Sequence, residues 1–422
     1  MVTGRDCSLD RDAGTEAAAP QVNRFLARQP ILNARREIFG YELLFRSGWE
    51  NSFGGEADSS TQKMLDNCLY MGIESVANNQ RAFVNCTRES LVGGLVTILP
   101  PKTTVLEVLE TVEPDPELVK ACIELREMGY ALALDDFLPR PELQPLIEIA
   151  SYIKVDFRLS DAAMRRQIRR MTCASGAAML AEKVEDQEEF DIARNEGYEY
   201  FQGYFFCRPK IVANREIPAN RLNYVRLLAE LAREPLNLRG IAQVVELEAS
   251  LCYRLLRLAN SPLWGVRNQV TSVQEAFMLV GETRFRTLAS VAASCVLSQE
   301  RPPALISLSL ERARFCELVA PLARQNPTEQ FMLGLLSLLD AVLEIPMESI
   351  VKSLPLREEA KAALMGERNS AALPLGLIRG FEAGAWGVCS GAASDLGISE
   401  ETLARLYLES VQWASKSLAL NG

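Results

Sequence analysis

The stretch YALALDDF, residues 130–137, runs apolar residues together and then sets two acids side by side. A run of that length is a buried strand, which puts Asp135 and Asp136 at its carboxyl end. Adjacent carboxylates repel, so a fold avoids them unless a turn or a cation uses the charge. The same ending recurs along the first half of the chain. RFLARQPIL and EIFGYELLF come first, the latter bringing Glu42 and then Arg46 after a strand-like run. TQKMLDNCLYMGIESVA has helical spacing, and RAFVNCT follows it with Asn85. TTVLEVLE carries Glu107 and Glu110, YIKVDF carries Lys154 and Asp156, AAMLAEKVE carries Glu182 and Glu185, and YEYFQGY carries Gln202. Helix-like segments such as DPELVKACIELREMG and DQEEFDIARNEG stand between them. Strand, helix, strand at short intervals implies parallel βα units, either doubly wound or closed into a barrel. There is no GxGxxG and no GxxxxGK[ST], which removes the dinucleotide-binding and P-loop versions.

In a (β/α)8 barrel the functional mouth lies at the carboxyl ends of the strands, so these polar residues would converge there. A rim of carboxylates and amides with one lysine suits Mg²⁺, Mn²⁺ or Ca²⁺ and suits zinc poorly. A carboxylate pair can bridge two cations about 4 Å apart, a geometry that activates water for in-line attack on a phosphodiester. On that reading Asp135 is the bridge and Asp136 a ligand of the second ion, while Lys154 polarises the water or the developing charge. The plainer alternatives are a strand-to-loop turn at Asp135-Asp136 and a structural ion pair between Lys154 and Asp156, which share a strand face at i, i+2. The sequence contains no histidine, which excludes Ser-His and Cys-His nucleophilic machinery and HExxH zinc sites.

From about residue 215 the pattern changes. NYVRLLAELARE, VVELEASLCYRLLRLAN, VQEAFMLVGETRFRTLASVAASCVL and EETLARLYLESVQWASKSLA all suit helical spacing, which predicts an all-helical second domain behind the connector RPKIVANREIPAN. Within it Trp264 and Phe277 are expected in the core. Arg284, Arg286, Arg312 and Arg314 are expected on a solvated helix face. The net charge of −10 argues against a broad nucleic-acid-binding surface. No apolar stretch is long and charge-free enough to span a bilayer, and the N-terminus lacks a signal-peptide core. Ten singly placed cysteines without a CxxC suggest reduced thiols and a cytoplasmic location. The opening MVTGRDCSLDRDAGTEAAAP is small and polar and is expected to be a disordered tail.

In order and approximate spacing, ARQPI, YELLFR, FVN, LEVLE, LDDF, IKVDF, AEKVE and YFQGYFF resemble EAL domains, the phosphodiesterases of cyclic di-GMP. Their wording looks most like the EAL half of two-domain EAL–HDOD signalling proteins. LLRLANSPLWGVRNQVTSVQEAFMLVG resembles the core of an HDOD domain, a helical relative of HD phosphohydrolases that lacks their metal-binding residues. The resemblance implies an α/β, EAL-type (β/α)8 TIM-like barrel followed by an all-α HDOD domain. The expected division is a tail over 1–22, the barrel over 23–210, a linker over 211–220 and the helical domain over 221–422.

The resemblance also implies roles. Glu42, Asn85, Glu107 and Asp135 match first-metal ligands and Asp136 a second-metal ligand, for Mg²⁺ or Mn²⁺. Lys154 matches the water-activating lysine and Glu182 the glutamate beside the water, while Glu110 and Glu185 match supporting acids. Gln29, Arg46 and Gln202 match residues on the cyclic di-GMP side of the site. Three departures stand out: in the triplet Glu42-Leu43-Leu44 the middle leucine replaces an alanine, Lys183 replaces a glycine, and Phe137-Leu138-Pro139-Arg140-Pro141 replaces a glycine-containing loop of the DFGTGYSSL type. Proline fixes φ and glycine alone readily takes positive φ, so that loop cannot have the family's shape. The expectation is a barrel that binds cyclic di-GMP with divalent metal, hydrolyses it weakly or not at all, and acts through a protein partner of the HDOD half, with a homodimer left open. An active Mg²⁺- or Mn²⁺-dependent phosphodiesterase producing linear pGpG is the alternative.

Overall fold

The computed structural model describes residues 25–46, 73–207, 219–246, 249–262, 270–297, 302–352 and 354–419. The expected tail, most of the expected linker, Trp264 and most of the expected helix over 61–77 lie outside them; of that helix, Ile73–Val76 is described. The first half closes into an eight-stranded barrel in sequence order. Its strands are β1 (Phe25–Asn33), β2 (Ile38–Arg46), β3 (Arg81–Cys86), β4 (Thr104–Val108), β5 (Ala131–Leu134), β6 (Tyr152–Asp156), β7 (Ala178–Glu182) and β8 (Tyr200–Gln202).

From β2 to β8 every neighbour is parallel, but β1 runs antiparallel to both β2 and β8. This departs from a barrel built only of parallel βα units, and the reason is chain length. Only residues 34–37 separate β1 from β2, whereas a parallel crossover needs a dozen residues or more. The short link closes as a turn on Asn33, whose side-chain oxygen accepts from the Arg35 and Glu37 amides, with Arg36 in the left-handed region at φ 62°.

Strand periodicity then sorts the side chains. Facing inward, Ile31, Phe83, Val105, Ala133, Tyr152 and Leu180 form one buried apolar layer. Phe39, Tyr152 and Tyr200 close it off, with Phe39 and Tyr200 stacked at 3.9 Å. Facing outward, Val84, Leu106, Leu132, Ile153, Val155 and Ala181 join the larger core under the helices. Two residues beyond the inward layer the next inward positions are Asn85, Glu107, Asp135, Lys154 and Glu182, so the pleat alone carries every one of them to the same mouth.

The second half is helical, beginning at Ala219–Leu231 and ending at Glu400–Ala419. The run 273–297 is two helices, Val273–Val280 and Glu282–Leu297, broken at Gly281 with φ 79°. Phe277 packs against the core, edge-on to Phe285. The arginines correct the expectation of a solvated face. Arg286 and Arg312 are only 3% and 4% exposed. Arg286 donates to the carbonyls of Leu231 and Arg233, and Arg312 forms a two-pronged pair with Glu382 at 2.6 and 2.8 Å. Arg314 pairs with Glu317 and Glu409, and Arg284 alone of the four is exposed.

The two halves share a buried seam on β1. A parallel βα unit brings its own covering helix, and a hairpin brings none. β1 is covered instead by helices Leu373–Glu382 and Glu400–Ala419. Arg28, on the outward face of β1, donates to the Val76 carbonyl at 2.6 Å and to Glu311 at 2.8 Å, with its guanidinium 4.2 Å from the centre of the Tyr41 ring. Ser307 donates to the same Glu311 oxygen. Both charges are almost wholly buried, so losing one strands the other in a low-dielectric seam. Arg28→Ala is therefore expected to cost about 3–5 kcal/mol, seen as a lower urea midpoint, and Glu311→Leu in the same chain should recover part of it. An unchanged midpoint for Arg28→Ala would show that the seam does not hold the halves together.

Candidate functional site

At the carboxyl mouth of the barrel the side chain of Lys154, wholly buried on β6, stands at the centre of four carboxylates. Its Nζ lies 2.6 Å from Glu107 Oε1, 2.7 Å from Asp135 Oδ1, 2.9 Å from Glu182 Oε1 and 3.5 Å from Glu42 Oε2. These acids come from β4, the end of β5, β7 and β2, so one lysine ties together strands spread around the barrel. Asn85 on β3 donates to Glu42 Oε1 at 3.3 Å. Gln202 on β8 donates to Glu42 Oε2 at 2.6 Å and to Gln29 Oε1 at 2.8 Å. Gln29, on the antiparallel β1, donates in turn to the main-chain carbonyl of Glu382 at 2.9 Å. The mouth of the barrel thus touches the helical domain through one amide side chain.

The sequence-predicted residues Glu42, Asn85, Glu107, Asp135, Lys154, Glu182, Gln202 and Gln29 are brought into one connected group. The Lys154–Asp156 ion pair is not formed: Lys154 serves the ring, and Asp156 meets Lys183 instead. Asp136 adjoins the ring with φ 39°, and its nearest cation is Lys183, 3.8 Å away. Glu185 pairs with Arg158 at 3.1 Å rather than with the ring. Glu110 meets the loop after Phe137 through its carbonyl, which accepts from Arg140 at 3.0 Å. Arg46 ends β2, and its side chain lies outside the described residues. Residues 138–143 run past the mouth and close in a 3-10 turn at Pro141–Leu143. Sequence reasoning missed Glu382, whose carbonyl reaches the mouth; its helix was not singled out, and a main-chain acceptor leaves no trace in residue type.

One ammonium cannot balance four carboxylates, and the ring responds by holding protons. Burial pushes Glu107 well above the ordinary carboxylate range, raises Asp135, and pushes Glu182 up to about 8, in each case against the pull of Lys154. Burial opposes ionisation of Glu42 too, but Lys154, Gln202 and Asn85 together bring it below the ordinary value. Lys154 stays charged, because its four carboxylates outweigh the burial that would discharge it.

Several acceptors of this group are buried without a hydrogen-bond donor among the described residues: Asn85 Oδ1, Glu182 Oε2, Gln202 Oε1 and Asp136 Oδ1. Hard oxygen donors with unmet acceptors fit a hard divalent cation. Glu42, Asn85, Glu107 and Asp135, on adjoining strand ends, are the residues that could hold it. With the Lys154 ammonium at the centre, no three acidic or thiol side chains among the described residues are spread as a ligand cage in this arrangement.

Comparison with known proteins agrees with this architecture. The EAL domain profile matches residues 87–209 and the HDOD domain profile residues 217–352. The chain is 34% identical over 400 residues to the uncharacterized protein YuxH of Bacillus subtilis (strain 168), covering 92% of this chain and 97% of that one. It is 32% identical over 397 residues to the cyclic di-GMP phosphodiesterase CdgJ of Vibrio cholerae serotype O1, covering 92% of each. Among solved structures it is similar to the PaMucR phosphodiesterase in complex with c-di-GMP, at 21% identity and TM-score 0.37 over 47% of this chain and 94% of that one. Fold and site define an EAL-type barrel joined to a helical domain. The chain belongs to the family of proteins that carry an EAL domain followed by an HDOD domain.

The raised carboxyls give the ring a pH signature. Between the ordinary value of 4.5 and about 8 the folded chain retains a proton on Glu182 that the unfolded chain releases. The unfolded state binds fewer protons in that window, so stability falls as pH rises through it. Glu42 contributes in the opposite sense, but its window lies below 4.5. In chelator, Tm is expected to drop between about pH 6 and about pH 8.5, and Mg²⁺ should raise Tm more at the higher pH. Glu182→Gln should flatten the drop. A Mg²⁺ effect independent of pH would contradict this account of the ring.

Proposed function

We propose that this protein is a cyclic di-GMP signalling protein whose barrel binds the dinucleotide together with a divalent cation, hydrolyses it weakly or not at all, and passes occupancy to the helical domain. Membership of the EAL–HDOD family and the relative named as a cyclic di-GMP phosphodiesterase support the ligand. The observation that carries the reading is Gln29. Its oxygen takes part in the polar ring through Gln202, and its amide is spent on the Glu382 carbonyl of the helical domain. A dinucleotide that engages Gln29 at the mouth competes for the amide that now joins the two halves. A ligand shifts a conformational equilibrium only by binding its states differently, and this shared amide supplies such a difference.

In this reading Glu42, Asn85, Glu107 and Asp135 hold the cation, and Gln29, Arg46 and Gln202 engage the dinucleotide. When bound, the cation supplies positive charge at a phosphodiester oxygen and acidifies a bound water. In this reading the Lys154 ammonium donates to that water and orients it, and Glu182 Oε2, which has no hydrogen-bond donor among the described residues, receives its proton. Two features favour binding over turnover: the proline-bearing segment after Phe137 and the lysine at 183. The helical half has no histidine with which to run metal-dependent hydrolysis of its own, so its part is interaction, with a protein partner as its object. No helix among the described residues is long and apolar enough to cross a membrane.

The second reading, a phosphodiesterase that opens cyclic di-GMP to linear pGpG, is favoured by the complete set of oxygen donors. Calorimetry and chromatography on the purified chain with Mg²⁺ or Mn²⁺ separate the two. Saturable, metal-dependent binding with pGpG at the background level is expected, and Glu42→Ala should weaken binding about 10–100-fold. Sustained pGpG formation abolished by Glu42→Ala would replace the first reading with the second. Absence of binding would overturn both.

A further inference from the structure

We propose that the ammonium of Lys183 is a built-in counter-cation for Asp136 and Asp156, so that the mouth of this barrel takes a single divalent ion where its carboxylates would otherwise take two. The inference rests on the reading of the ring as a cation site, but it concerns a separate set of groups. Asp136 follows Asp135 at the end of β5, and Asp156 lies two residues beyond Lys154 on the inward face of β6, in register with Glu182 of β7. Two carboxylates beside an already anionic ring require positive charge. The Lys183 Nζ supplies it, in ion-pair contact with Asp156 Oδ2 and 3.8 Å from Asp136 Oδ1.

The placement of Lys183 is fixed from both sides. The Phe157 amide donates to the carbonyl of Glu182 at 3.1 Å, and the Val184 amide donates to the carbonyl of Gln202 at 3.0 Å. The Val184 carbonyl accepts from Phe205 at 3.2 Å, and Gly203 lies so close that a Cβ there would fall 2.0 Å from it. Between these anchors Lys183 has φ 54°, a left-handed conformation that glycine takes freely and a lysine takes under strain. A lysine retained at such a position points to use of its side chain. Asp156 is equally fixed: its Oδ1 accepts from the Arg158 and Leu159 amides, which leaves Oδ2 for the ammonium.

A pair of cations that clamps the attacking and leaving oxygens of a phosphodiester sits about 4 Å apart. A tethered ammonium at Asp136 and Asp156 occupies the place of the second ion with half its charge and no vacant coordination position. It neutralises the acids, admits an anionic dinucleotide and withholds the second Lewis acid. Such a site binds its ligand without turning it over efficiently.

The test is a Mn²⁺ titration of the full chain, read by equilibrium dialysis with metal analysis and by electron paramagnetic resonance. The wild type is expected to bind about one Mn²⁺ with an isolated-ion spectrum, and Lys183→Gly about two, with the spectrum of a magnetically coupled pair. Glycine suits the positive φ, so this variant keeps the loop. Lys183→Met, which removes the charge and keeps the bulk, should also bind about two. Two ions in the wild type, or one in both variants, would overturn the inference while leaving the ring as a cation site. Absence of Mn²⁺ from all three chains would overturn the cation-site reading and the inference with it.

Discussion

The ammonium of Lys154 is the contact on which the barrel mouth depends. It is buried with no water-facing surface and lies within 3.5 Å of carboxylates contributed by four different strands. An ion buried so deeply is tolerable only when paired, and here the pairing is shared among too many partners for all to be ionised. Protons make up the balance, on acids that burial has already pushed upward. The site is therefore held in a state of unmet charge, rigid because each strand end is tied to the same point. The apolar layer of Ile31, Phe83, Val105, Ala133, Tyr152 and Leu180 beneath it shuts out water from below and keeps the dielectric low.

The hairpin of β1 and β2 has a consequence beyond topology. Reversing the first strand removes one covering helix from the barrel and leaves one outward face to be buried by something else. The helical domain does this, and the buried pair of Arg28 and Glu311 marks the place. Since β1 also carries Gln29 on its opposite face, the strand that seats the second domain and the strand that lines the mouth are one. Adjacent residues of a nine-residue strand look into two domains.

Much of this was legible beforehand, because strands have a period of two. Once YALALDDF, YIKVDF and AAMLAEKVE were taken as strands, the pleat required Asp135, Lys154 and Glu182 to face the same way as the apolar residues two positions earlier. What escaped the sequence was pairing over distance. Arg312 has the look of a solvated helix position until Glu382, seventy residues on, supplies a buried partner. The exchange of partners at β6, with Lys154 turned to the ring and Asp156 to Lys183, depends on which carboxylates crowd the barrel axis. The antiparallel entry of β1 was within reach: four residues between two strands permit nothing else.

Glu382 has two attachments made by chemically different parts of one residue. Its carboxylate is committed to Arg312 inside the helical domain, and its main-chain carbonyl to Gln29 at the barrel mouth. A survey that replaces side chains one at a time would record position 382 as a core ion pair and nothing more. The carbonyl survives every such replacement. This hydrogen bond between the domains would remain hidden from mutational scans read residue by residue, and would surface only as an unexplained sensitivity at Gln29.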